Sequence, residues 1–248
     1  MAELHKWYAV QSKASKLEMF PARIKDEHFW RGVDDVYIEF ASLYDLYHQD
    51  ALHKSLVSVW CMSKIQICRK KNFHNVGFFD PDIIHEKSLA LNPGDIVNVI
   101  YRGLRKNSMC PFILLPYNHH FHWILLCIRI EEHKVLVYDS LRQDKSKYQD
   151  IIEVCWRQGQ GNNLCGYYVC EWINSFASEK GQMTVEAFNR WRMKEELIEI
   201  ARIRAIQEAI CGFLLDEVIN PKGEFHGDLH LSVAKEDPTT RKLIRYYS

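Results

Sequence analysis

Three short apolar runs in the middle of the chain constrain its fold more than any other feature. They are Phe112-Ile113-Leu114-Leu115-Pro116-Tyr117, Trp123-Ile124-Leu125-Leu126-Cys127-Ile128-Arg129-Ile130 and Lys134-Val135-Leu136-Val137-Tyr138-Asp139. Each is strand-length, rich in β-branched and aromatic residues, and set off by a turn-length polar gap. The last two are joined by Glu131-Glu132-His133, which predicts a hairpin in a well-buried sheet. On either side the apolar spacing becomes helical. Apolar residues recur at three- and four-residue steps from Leu43 to Arg69, with a break near His48–Asp50. Asn92-Pro93-Gly94-Asp95 is a stop-and-start signal before a helix over Ile96–Leu104, Leu164–Phe176 reads as a helix, and Val185–Leu215 as a longer helical region. Asp34-Asp35-Val36-Tyr37-Ile38-Glu39-Phe40 alternates like a short strand. Gly77-Phe78-Phe79-Asp80-Pro81 reads as a turn, because Pro81 biases Asp80 away from helix. Helices, a central sheet, then helices make the class α+β.

Lys+Arg and Asp+Glu number 32 each, so the net charge is zero and a general basic surface for nucleic acid is not expected. The Arg69-Lys70-Lys71 run reads as a solvated helix end. No apolar run is long enough to span a membrane, and the charged start Met1-Ala2-Glu3-Leu4-His5-Lys6 lacks the core of a secretory signal. The expected location is therefore the nucleus or the cytoplasm. The eight cysteines include no CxxC pair, so most read as buried thiols. His119, His120 and His122 cluster without a cysteine at ligand spacing, and no metal is expected there.

One constellation reads as chemistry. His122 opens one hairpin strand and Asp139 closes its partner, so a tight turn brings both to the same edge of the sheet. A carboxylate there can fix the imidazole tautomer and stabilise the imidazolium. Cys165 precedes Gly166 at the mouth of the 164–176 helix, where the dipole and unsatisfied backbone N–H groups favour thiolate and supply oxyanion donors. The approach, Arg157-Gln158-Gly159-Gln160-Gly161-Asn162-Asn163, can place a carboxamide beside that sulfur.

Phe121-His122-Trp123, Val137-Tyr138-Asp139-Ser140 and Leu164-Cys165-Gly166-Tyr167-Tyr168-Val169-Cys170-Glu171 together resemble the ubiquitin-like protease (Ulp1/SENP, clan CE) family. The resemblance is greatest to the C-terminal protease domains of plant transposable elements, and it runs from about Tyr37 to Phe225. It implies a papain-like (adenain-type) fold with a central mixed sheet flanked by helices. It divides the chain into a 1–32 segment of unassigned structure, a 33–225 protease domain and a 226–248 polar tail. It implies a catalytic triad of His122, Asp139 and Cys165, an oxyanion residue at Gln158 with Gln160 as the alternative, and substrate contacts from Trp123 and Gly166. The implied reaction is hydrolysis of a peptide or isopeptide bond after the C-terminal glycine of a ubiquitin-like modifier, with the modifier or its conjugates as partner and no cofactor. One departure stands out. Only residues 140–164 separate Asp139 from Cys165, where relatives place a complete helix and a further strand. Any helix in that interval falls on Lys147–Cys155. A truncated core and an impaired, partner-binding module of transposon origin are the alternative expectation.

Overall fold

A computed structural model describes residues 1–14, 18–24, 29, 35–119, 122–141, 152–153, 163–191 and 197–227. In chain order its elements are α1 (Ala2–Ala14), β1 (Met19–Arg23), β2 (Asp35–Glu39), α2 (Phe40–Tyr47), α3 (Lys54–Lys70), β3 (Val76–Phe78), α4 (Glu86–Leu91) and α5 (Pro93–Lys106). Then follow β4 (Phe112–His119), β5 (His122–Arg129), β6 (Lys134–Asp139), β7 (Ile152–Glu153), α6 (Cys165–Phe176), β8 (Ala177–Ser178), β9 (Gly181–Gln182), α7 (Val185–Arg190) and α8 (Ile200–Phe213). A π-helical turn, Leu214–Ile219, ends the helical series.

The central sheet has the order β3-β4-β5-β6-β7. Its outer pairs are parallel and its inner pairs antiparallel, so the sheet is mixed. The two faces of β4 explain why the run is apolar at every position. Phe112 and Leu114 join the large core that holds α3, α6 and α8, while Ile113 and Leu115 join a smaller core with Ile84 and Ile96 beneath α4 and α5. A strand covered on both sides has no wet face on which to place polar residues. Helix α6 lies across β5 and contributes Tyr168, Val169, Trp172 and Phe176. Phe176 meets Phe112 at 5.3 Å and Tyr138 at 6.0 Å, both edge-on. Trp60 of α3 donates its indole N–H to the Cys170 carbonyl at 2.9 Å, tying the two helices together.

Several local expectations are revised. Gly77 and Phe78 are not a turn but lie in β3, which pairs with β4; Pro81 acts only after the strand has ended. The Val185–Leu215 region is not one helix. Thr184 caps α7, which ends at Arg190, and α8 starts afresh at Ile200. Within Lys147–Cys155, Ile152–Glu153 is strand where a helix was expected, and it pairs with β6. The short interval thus holds a further strand, of which Ile152–Glu153 are described. Near the N-terminus β1 pairs with β2 through Phe20↔Ile38 and Pro21↔Tyr37. Pro21 is tolerated because β1 is an edge.

Candidate active site

Register places the base and its orienting carboxylate. Ile124 stands opposite Asp139 across the β5–β6 ladder. His122 lies two positions before Ile124, so with the two-residue period of a strand it shares a face with Asp139 as its diagonal neighbour. The side chains close that diagonal: His122 Nε2–H donates to Asp139 Oδ1 at 2.6 Å. The Leu141 backbone N–H donates to the same oxygen at 2.8 Å, which fixes the carboxylate from the other side. Asp139 is fully buried and His122 nearly so. In such surroundings a charge-assisted hydrogen bond is shorter and stronger than at the surface.

Cys165 is the first residue of α6, and it reaches the first residue of β5 at the rim of the sheet, where its thiol lies within hydrogen-bonding reach of the His122 ring. With Nε2 committed to Asp139, Nδ1 is the ring atom left for the sulfur. Burial works to lower the His122 pKa, but the hydrogen bonds to Asp139 and Cys165 and their charges overturn it and raise the value to about 9. The imidazole is therefore protonated at neutral pH. The α6 ladder opens with Tyr167 N–H on the Leu164 carbonyl at 2.9 Å, so the Cys165 and Gly166 amides have no partner among the described residues. They are available to an oxyanion.

The other assigned residues are placed differently. Trp123 is buried, and its indole N–H donates to the Leu52 carbonyl at 2.8 Å. Gly166 is buried as well. A Cβ there would sit 2.7 Å from Leu52 Cβ, so the missing side chain makes room for Leu52 and not for open solvent. Gln158, Gln160 and His120 lie outside the described residues, as does the His119 side chain. Two contributors gave no signal in the sequence. The Leu141 amide acts through backbone alone, and Leu52 is an ordinary apolar residue in the link between two helices.

Residues 56–158 match the family model of the Ulp1 protease family, C-terminal catalytic domain. That span contains His122, Trp123 and Asp139 and stops before Cys165. A crystal structure of a de-sumoylating protease superposes with a TM-score of 0.53 at 14% identity, over 94% of this chain and 99% of that one. The chain shares that protease's α+β fold. The C-terminal Ulp1 protease domain in complex with Smt3, the yeast ortholog of SUMO, gives a TM-score of 0.49 at 15% identity, covering 86% of this chain and 92% of that one. The Xanthomonas campestris effector XopD bound to ubiquitin gives 0.48 at 17%, covering 64% and 91%. No curated protein sequence matches the chain significantly. No helix among the described residues is long and apolar enough to cross a membrane.

Proposed function

We propose that this chain is a cysteine peptidase of the Ulp1 family that cleaves a peptide or isopeptide bond after the C-terminal glycine of a ubiquitin-like modifier. The observation that carries the reading is the buried line of carboxylate, imidazole and thiol formed by Asp139, His122 and Cys165. The Cys165 Sγ, as thiolate beside the His122 imidazolium, attacks the carbonyl carbon of that glycine. The oxyanion that forms takes hydrogen bonds from the Cys165 and Gly166 amides and from a carboxamide, Gln158 or Gln160. His122 Nδ1–H then protonates the departing amine, the C–N bond breaks, and an acyl-enzyme remains. Water, deprotonated by the same imidazole, attacks the thioester and restores the thiolate–imidazolium pair. Asp139 accepts the Nε2–H throughout and holds the ring in register. Nothing in these steps requires a metal or cofactor.

The substrate class and an origin in plant transposable elements rest on the sequence resemblance; action in the nucleus or cytoplasm is part of the same proposal. Zero net charge supports a protein partner over nucleic acid. The short interval between Asp139 and Cys165 favours one second reading, a module that binds a modifier without cleaving it. Incubating the purified chain with a fluorogenic amide of a SUMO-like modifier separates the two. A peptidase releases the fluorophore and loses that activity on Cys165→Ala. A chain that binds the modifier but releases nothing supports the second reading and ends the first.

A further inference from the structure

Residues 50–52 touch both chain segments that carry the chemistry. Asp50 Oδ1 accepts a hydrogen bond from Asn163 Nδ2 at 2.8 Å, on the approach to Cys165. The Leu52 carbonyl accepts the Trp123 indole N–H at 2.8 Å, beside His122. The Leu52 side chain fills the space that Gly166 leaves open, on the first turn of the nucleophile's helix. The segment is itself stiff. Asp50 N–H closes back onto the Asp45 carbonyl at 3.0 Å, Gln49 holds a left-handed φ of 57°, and Ala51 N–H returns to Asp50 Oδ1 at 2.8 Å. Immediately after it, the His53 carbonyl accepts the first amides of α3, so the strap hangs between two helices that are packed in the main core.

We infer that residues 50–52 form a positioning strap that sets the distance between the Cys165 sulfur and the His122 ring, and that Trp123 belongs to this strap through its indole N–H as a positioning residue. The strap ties β5 to the 163–166 segment, with one hydrogen bond to each side and a packed leucine between. Nucleophile and base work only when aligned, and a misplacement on the order of 1 Å is enough to cost about 100-fold in rate. The Asp50 carboxyl is held below the usual carboxylate range, first by the Asn163 hydrogen bond and then by the Ala51 amide. It therefore stays ionised, and its bond to Asn163 stays charge-assisted, across the working pH.

The inference rests on reading Cys165 and His122 as nucleophile and base, and the test separates the two. Three variants of the full chain are compared with the parent: Trp123→Phe keeps the ring and removes the N–H, Asp50→Ala removes the acceptor, and Asp50→Asn keeps an acceptor oxygen. Turnover and KM are measured on a modifier C-terminal amide. In parallel, the pH dependence of Cys165 alkylation by iodoacetamide is followed by peptide mass spectrometry, which needs no substrate. Trp123→Phe and Asp50→Ala are expected to lower kcat about 10-fold with KM within about twofold, and Asp50→Asn to recover most of the loss. Cys165 alkylation below neutral pH should slow about threefold in the first two variants, because a displaced imidazolium supports the thiolate less. An unchanged alkylation profile overturns the strap, whether the activity loss then appears in KM, as for a substrate-lining Trp123, or follows a fall in thermal midpoint. A parent chain that cleaves no modifier removes the proposed function, while the alkylation profiles still decide the strap.

Discussion

Helix α6 carries two cysteines, Cys165 and Cys170, and both are buried. Their surroundings differ in kind. Cys170 sits among Trp60, Cys61 and Lys64 in the main core, and burial pushes its thiol far above the ordinary range despite the nearby lysine. Burial likewise pushes Cys61, Cys127 and Cys211 up. Cys165 instead stands at the helix mouth against an imidazole that Asp139 holds protonated. Burial alone thus makes a thiol inert; a cation fixed beside it at a helix N-terminus makes a nucleophile.

The widest separation between the two thiols is expected from their removal. Cys165→Ala should lower turnover of a modifier amide by at least about 10³-fold with little change in stability. Cys170→Ala should leave turnover within about threefold and cost about 1 kcal/mol in urea unfolding, the signature of a small cavity. Equal losses from the two would erase the distinction. Asp139→Asn comes next. It should lower kcat by about 10² to 10⁴-fold, because the ring loses the partner that sets its tautomer, and NMR should show His122 titrating nearer its ordinary range. A smaller effect follows from Gly166→Ala, whose methyl would press on Leu52. The expected cost is about 1–3 kcal/mol of stability, read from thermal or urea melts, with no counterpart for an exposed glycine such as Gly94.

A further effect is a pH dependence. The His122 value in the folded protein, about 9, lies above its ordinary 6.5. The stability this group adds is therefore complete below about pH 6.5 and is lost as pH rises through about 9. Unfolding free energy should fall over that window and fall less in Asp139→Asn. A parent whose stability is flat from pH 6.5 to 9 would contradict the raised value.

Much of this was legible in the sequence, and for physical reasons. Strands β4 to β6 are read from runs too apolar for any but a doubly covered sheet, and α3 and α6 from unbroken helical spacing. The His122–Asp139 pairing follows from hairpin arithmetic, since a short link fixes which strand ends meet. What escaped was set by distant contacts. β3 is three residues long, and its strand character comes from pairing with β4, so nearby Pro81 and Gly77 dominated the local signal. β1 carries Pro21 and shows no local strand pattern of its own; its strand character comes from pairing with β2. The Val185–Leu215 periodicity hid the stop at Arg190, because apolar residues in two short helices can mimic one long stripe. Leu52 escaped because its role at the site is a carbonyl oxygen and a volume, neither of which residue type announces.

The central claim is that the protein concentrates its nucleophilic character in one sulfur, and an electrophilic probe reads that directly. A SUMO-like modifier ending in a vinyl sulfone, incubated with the intact chain and mapped by peptide mass spectrometry, should form a single adduct on Cys165 that disappears in His122→Ala. An adduct on Cys170 or another thiol, or labelling of Cys165 that persists undiminished without His122, would contradict the account.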